Sequence, residues 1–401
     1  MHEKIGDVEE EGRTRPVSAS PGPGIPATLP ASWARTMACP SAFAQEQAKL
    51  AQTWTFLGMS SDVATDGAWF RAFLATRSVF VQRFGTELKG FENRCVHRGM
   101  PLRTTDKGIG PIVCGYHHWH YDQRGRAVGI PECRELFGST PRDLGLQLAP
   151  VEIATCGTFV FGRFPGASST ESLEQYLGEA YSCLAAMSNT SIRPRHWVRP
   201  LHANWRLYTH ITLDDYHSVA VHPKTFGKGG YGKRSSIGYF RFGSHSALHM
   251  TSDPDAMTKL VSGSRDDTYR SGHYFILQIF ANLIVTHFWS DAQYWHIHVQ
   301  QCVPLGHDRS LMRNWLYPSP FSADHAWHVR WTRRATDPWR ARILQYYIRQ
   351  IFDEDRAVCE GLQSIASQLG APLLLGALEE RIAWFEETYE RALGSEGAAR
   401  T

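Results

Sequence analysis

The chain has 401 residues, 42% of them hydrophobic and 20% charged, enough to bury more than one core, and this length argues for two or three domains. A formal net charge of +3 without a long basic run gives no electrostatic basis for binding nucleic acid. The longest apolar run, 274–289, contains Gln278, Asn282 and His287, falls short of the ~20 residues a helical span needs and is rich in aromatic and β-branched residues. It reads as strand, and no membrane span is expected.

Eight cysteines (39, 95, 114, 133, 156, 183, 302 and 359) show no disulfide rhythm, and the first residues do not read as a signal peptide, so a reducing cytoplasm is expected. In chain order, residues 1–35 are expected to form a disordered tail, because early Asp and Glu followed by Ser18-Ala19-Ser20-Pro21-Gly22-Pro23 offer little to bury. Residues 36–54 hold good helix formers with Phe43, Leu50 and Trp54 at roughly helical spacing, a helix expected to pack on the C-terminal domain. From 55 to 165, short apolar runs broken by Gly, Pro and Asp predict an all-β module. Helical period returns over 168–188, with Ser and Thr ahead of Glu171 as a cap, and opens a second domain placed at 166–395. Within it 239–242, 274–288, 295–304 and 311–317 read as strands of an antiparallel sheet. Residues 338–393 read as covering helices, with Ile343, Tyr346, Tyr347 and Ile351 and then Leu378, Ile382, Phe385 and Tyr389 at i, i+3/i+4 spacing. Residues 396–401 are a tail, and no internal repeat is evident.

Two short stretches carry metal chemistry. Cys95-Val96-His97 and Cys114-Gly115-Tyr116-His117 are punctuated by Gly99, Pro101, Gly108, Gly110 and Pro111, so both read as loop tips on adjacent hairpins. Two thiolates and two imidazoles suit either a tetrahedral Cys2His2 zinc or a [2Fe–2S] centre with the thiolates on one iron and the imidazoles on the other. The latter accepts an electron at roughly −150 to +300 mV but makes and breaks no bonds, so it calls for a second site. That site is found in 204–223, a predicted helix ending at Pro223 that contains Asp214, His217 and His222. On an ideal helix residues five apart point about 140° away from each other, so joint ligation by the two histidines requires a break or bulge, expected near 218–221. A third ligand is sought in 351–363, where Asp353 and Asp355 are the candidates.

The stretch 90–121 resembles the Rieske domain of ring-hydroxylating oxygenases, and Met100 and Tyr116 stand where respiratory Rieske proteins carry two further cysteines. His118 stands where the family usually has Gly. The pattern Asp214-x-x-His217-x-x-x-x-His222 with a distant Asp followed by Glu and Gln resembles the catalytic domain of the same family, and the likeness spans about residues 40–395.

The resemblance implies an α+β protein: an N-terminal all-β Rieske [2Fe–2S] domain and a C-terminal helix-grip-like (SRPBCC/Bet v1-like) antiparallel sheet with covering helices. It implies that Cys95, His97, Cys114 and His117 hold the cluster and that His217, His222 and Asp355 hold a mononuclear Fe(II), with Asp353 the alternative carboxylate. It further implies that Asp214 bridges His217 to His117 of the partner subunit in a homotrimer, with or without a beta subunit. His210 stands where the family often has Asn or Glu; a weak ligand, a donor to a ligand and a satisfied core histidine all remain open.

The expected activity is that of the oxygenase (alpha) subunit, using O2 and electrons from NAD(P)H. They arrive through a separate reductase, with or without a ferredoxin, since no flavin or dinucleotide fingerprint is present. The outcome is cis-dihydroxylation or monohydroxylation of an aromatic or other small organic substrate, or oxidative N- or O-demethylation. A reading from another class is a Rieske-type electron-transfer or zinc-binding module without oxygenase activity.

Weaker signals are read plainly. The stretch 227–233 satisfies G-x4-G-K, but Arg234 follows where Ser or Thr would hold Mg²⁺, so it is expected to be a loop after the iron helix and not a nucleotide site. His296 and His298 share a strand face, read as polar rather than as substrate contact. Phe275, Leu277, Ile279, Asn282 and Trp315 are read as core more readily than pocket. His118, Trp119 and His120 are expected to shield the cluster or shape a docking surface.

Overall fold

The structure, a computed structural model, describes residues 27–166, 170–188, 194–225, 237–250, 274–291, 294–317, 327–369 and 372–394. Chain that was expected to be tail is built in from Ala27: Ala27–Leu29 pairs antiparallel with Leu373–Leu375, and Leu29, Trp33 and Ala34 are buried. These apolar side chains find the C-terminal helices as partners, which a local reading cannot see. Helix α1 (Pro40–Leu50), entered through Pro40 at its first position, buries Phe43 and Leu50 in the same cluster.

The N-terminal half is antiparallel β-structure. Strands β1 (Thr55–Met59), β2 (Ala68–Leu74), β3 (Arg77–Phe84), β4 (Glu87–Glu92) and β5 (Lys107–Ile109) share one sheet with β9 (Pro150–Cys156) and β10 (Phe159–Arg163). Its order is β1-β10-β9-β4-β3-β2-β5. A smaller sheet of β6 (Ile112–Val113), β7 (His120–Tyr121) and β8 (Ala127–Gly129) stands beside it. The loops carrying Cys95 and Cys114 leave β4 and β6, as the hairpin reading expected.

The C-terminal half is a seven-stranded antiparallel sheet. Its strands are β11 (Arg195–Leu201), β12 (Ile237–Phe242), β13 (His245–Met250), β14 (Phe275–Ile279), β15 (Leu283–Asp291), β16 (Tyr294–Gly306) and β17 (Arg309–Tyr317), in the order β11-β17-β16-β15-β14-β13-β12. Side chains alternate across a strand, so the sheet has two faces. One face presents Phe275, Leu277, Ile279, Val285, Val299 and Trp315 to a core shared with Phe56, Phe159 and Phe161 of the N-terminal half. The other faces α2 (Trp205–Leu213) and the long α4 (Trp327–Ser364), with α3 (Ser218–Val221) between them in sequence and α5 (Glu380–Ala392) closing the C-terminal end.

The C-terminal helical stretch differs from the expectation. Helix α4 begins upstream of Pro338, and 365–379 is interrupted by two 3-10 turns and the short strand before α5 starts. The G-x4-G-K stretch lies outside the described residues.

Candidate metal centres

The first centre is assembled by two turns. Cys95 N donates to Met100 O (2.8 Å) and Gly99 N to Cys95 O (2.9 Å); Gly99, at φ 78, supplies the left-handed residue this turn needs. In the facing turn Cys114 N donates to Trp119 O (2.9 Å) and His118 N to Cys114 O (3.0 Å). His118 adopts φ 54, so a histidine takes the left-handed position at which a glycine would be unstrained. Asn93 ties the first loop down, accepting from Leu102 N (3.0 Å) and Arg103 N (2.7 Å) and donating to Arg103 O (2.8 Å). The buried Arg103 guanidinium donates to Gln82 Oε1 at 2.7 Å and, through its burial, is held down at about 10.

These braces bring His97 Nδ1 within 3.1 Å of His117 Nδ1, while both thiols are buried and Tyr121 OH lies 3.0 Å from Cys95 Sγ. Burial lowers His97 toward its neutral form, the ligating one, with His117 and Arg98 acting in the same direction. Trp119 stacks on His97 (4.7 Å, 3°) and covers one side; His118 and His120 are exposed. Two adjacent nitrogen lone pairs and two buried thiols fit a centre whose metals take nitrogen on one side and sulfur on the other.

The second centre sits between α2, α3 and α4. Helix α2, capped by Asn204 through Arg206 N (2.9 Å), ends at Leu213, so Asp214 is its extended C-cap and not a helical residue. The break therefore lies at 214–217, earlier than expected, and 218–221 is itself a helical turn. Asp214 Oδ1 accepts from Tyr216 N (2.7 Å) and His217 N (3.1 Å), which stabilises the break in the manner of an Asx turn. His217 stands just before α3, and His222 leaves it at φ −109, ψ 48.

As a result His217 Nε2 and His222 Nε2 are 3.2 Å apart, and Asp355 Oδ1 from α4 is 3.5 and 3.1 Å from them respectively. Bonds of about 2.1 Å at angles between 90° and tetrahedral would separate ligand atoms by about 3.0 to 3.4 Å. Asp355 Oδ1 is buried without a hydrogen-bond partner among the described residues, as an atom facing a cation would be. Burial opposes charge on His217, but Asp214 and Asp355 outweigh it and raise the imidazole to about 10, so the site favours positive charge. Two histidines and one carboxylate on one side, with the other side open, form the donor set of non-haem Fe(II).

The outer nitrogens are steered too. His222 Nδ1 is 2.8 Å from Glu354 Oε2, which also accepts from Thr225 Oγ1 at 3.0 Å, and His217 Nδ1 faces Asp214 Oδ2 at 3.5 Å. The carboxylate at His222 Nδ1 holds the proton there and leaves Nε2 bare for metal. Glu354 escaped the sequence reading, although its place beside Asp355 was the available signal. Asp353 turns away, paired with Arg199 at 2.6 Å, so it does not join the triad. His210 is a satisfied core residue: Nε2 lies 2.7 Å from Glu386 Oε1 and the ring stacks on Trp33.

A cavity of about 890 Å³ opens from this triad, lined on one side by α4 and on the other by β14 to β16. His296 and His298 line it together with Gln300, so the polar-face reading gives way to a cavity wall. Phe275, Leu277, Ile279 and Trp315 lie in the core on the opposite sheet face, and Asn282 caps a hairpin turn through Cys302 O (2.9 Å).

Fold and ligand sets together define a Rieske protein joined to a mononuclear-metal domain. A Rieske [2Fe-2S] domain model matches residues 53–147, and the ring hydroxylating alpha subunit (catalytic domain) model matches 188–395. The chain belongs to the ring-hydroxylating oxygenase alpha-subunit family and therefore carries a Rieske cluster and a mononuclear iron. It is 26% identical over 248 residues to a terephthalate 1,2-dioxygenase terminal oxygenase component subunit alpha 2 of Comamonas sp., covering 56% of this chain and 55% of that one. To a glycine betaine monooxygenase oxygenase subunit of Pseudomonas aeruginosa it is 27% identical over 183 residues, 43% and 39% of the two chains. The chain thus spans about half the length, or less, of these curated relatives. Among solved structures, naphthalene 1,2-dioxygenase from Rhodococcus sp. bound to indole superposes with a TM-score of 0.72 at 19% identity, covering 92% and 95% of the two chains. A quaternary ammonium Rieske monooxygenase, CntA, gives 0.70 at 14% identity over 93% and 97%. These likenesses establish the fold. Among the described residues no helix is long and apolar enough to cross a membrane.

Proposed function

We propose that this chain is the oxygenase component of a Rieske non-haem iron system, hydroxylating a small organic substrate with O2 and electrons drawn from NAD(P)H by a separate reductase. Cys95, His97, Cys114 and His117 hold the cluster, and His217, His222 and Asp355 hold Fe(II). The observation that carries the reading is the convergence of His217, His222 and Asp355 at the wall of the 890 Å³ cavity, in a chain that also holds the Cys2His2 loops.

When bound, the cluster supplies single electrons and the mononuclear iron supplies the place where O2 is reduced. The chain's residues do the rest. Glu354 holds the Nδ1 proton of His222, and Asp214 positions His217 by accepting its backbone N–H. Helix α4 and the sheet hold the substrate and exclude water.

Electron transfer runs between subunits, from His117 of the partner subunit through Asp214. Supporting this route, Asp214 is partly exposed beside Tyr216 (72% exposed) and Val219, and His117 stacks under the exposed Tyr116 (56%), so both ends lie at apolar surface. Apolar surface at both ends suits an interface in a homotrimer.

Metal analysis tests the assignment. About three irons and two acid-labile sulfides per chain are expected. Asp355→Ala should lose one iron and keep the cluster's visible absorption, with O2 consumption abolished. Zinc in place of iron, without visible absorption, would overturn the reading in favour of a zinc-binding module.

A further inference from the structure

The cavity beside the triad has two unlike walls. Helix α4 contributes Ile343, Leu344, Ile348 and Ile351, whereas β16 contributes His298 and Gln300 at alternate positions. His298 is 5% exposed, and its ring is held from two sides: it stacks on Trp197 (5.6 Å, 11°), and its Nε2 lies 3.1 Å from Asn314 Oδ1. The Asn314 amide is oriented by its own donation from Nδ2 to Met312 O at 3.4 Å, so oxygen faces the imidazole and Nε2 must carry the proton. Burial lowers His298 to about 4, which keeps the ring neutral at physiological pH. Nδ1 is then an unprotonated acceptor, and no described residue donates to it. Nearby, Gln300 Nε2 donates to Tyr208 OH at 3.1 Å, leaving the tyrosine proton for another acceptor.

We infer that His298 Nδ1 is the substrate anchor, and that the substrate is an apolar, ring-sized molecule bearing an O–H or N–H group that donates to it. This deepens the oxygenase reading and rests on it for the word substrate. The physical reason is asymmetric: a substrate group without a donor would leave a buried nitrogen lone pair unsatisfied, a cost larger than the gain from making the bond. The apolar body lies against α4, and Tyr208 can donate to a second polar atom. Arg340 also lines the cavity, so the competing anchor is a carboxylate on that side.

Calorimetric binding of matched probes to the oxidised holoenzyme, without reductant, separates these anchors and needs no turnover. The probes are 2-naphthol, 2-methoxynaphthalene and 2-naphthoate. The naphthol should bind about tenfold tighter than the ether. That preference should vanish in His298→Phe and His298→Leu and persist in part in His298→Gln, which retains an acceptor. Two acceptor-free variants are made so that one with intact iron content and cluster absorption suffices. Equal binding of naphthol and ether, no binding of either, tightest binding of the naphthoate, or a preference that survives loss of the imidazole would overturn the inference. Because binding is read without O2 chemistry, failure here is distinct from failure of the oxygenase reading, which the metal analysis decides.

Discussion

Histidines five residues apart reach one metal only when the backbone between them leaves the helix, and here Asp214 enforces that by accepting two backbone N–H groups. A different constraint acts on His245. Its Nε2 donates to Tyr176 O (2.9 Å) while Nδ1 accepts from Phe280 N (3.1 Å), so a second ring proton would point at a donor. Burial lowers this imidazole to about 4, as it does His298. Between about pH 6.5 and 4 the unfolded chain binds protons that the folded chain refuses. Stability should therefore fall as pH drops through that window and stop responding to these two groups below it, with His245 contributing on the order of 3 kcal/mol. Urea unfolding of His245→Gln, which preserves one donor and one acceptor, should show a shallower loss across the window than wild type. An unchanged slope would sink the assignment to His245.

Helix α2 owes its position to charges buried behind it. Arg206 is 1% exposed and pairs with Glu386 of α5, while also donating to Trp33 O (2.8 Å) and Thr36 Oγ1 (3.0 Å). Burial alone would raise Glu386, but Arg206 and His210 overcome it and hold the carboxyl below its usual range. Glu46 of α1 accepts from Trp205 Nε1 (2.7 Å) and Tyr389 OH (2.6 Å), so three elements distant in sequence are tied to the helix that presents Asp214. Removing one partner of a buried pair strands the other, at roughly 3–5 kcal/mol. Glu386→Ala should lower thermal stability accordingly and release mononuclear iron before the cluster bleaches; Glu386→Gln should be milder. Calorimetry with iron analysis along the melt checks the order. This network also answers what His210 does, which spacing alone left open.

At the scale of the whole molecule, an intersubunit electron route makes two predictions. Asp214→Ala should keep both metal centres and lose turnover by roughly 10- to 100-fold or more, since it removes the group that accepts the His217 backbone N–H and, on the proposed route, meets His117 of the partner subunit. Chains carrying His117→Ala, co-assembled with chains carrying Asp355→Ala, should regain activity that neither has alone. Full activity of Asp214→Ala, or no recovery in the mixed assembly, would remove the route.

Local order and residue type determined much of this protein. Cys95-x-His97, Cys114-x-x-His117 and Asp214-x-x-His217-x-x-x-x-His222 are legible because ligand chemistry admits few residue types, and strands such as 295–304 because aromatic and β-branched residues gather in them. Other features became visible only in the tertiary structure, because they depend on partners distant in the chain. Ala27–Leu29 is ordered by Leu373–Leu375, and Glu354 acquires its role by lying against His222. His298 became a cavity residue through the register that sets β16 between β15 and β17. Alternation shows which residues share a face, but only packing decides whether that face meets solvent, core or substrate.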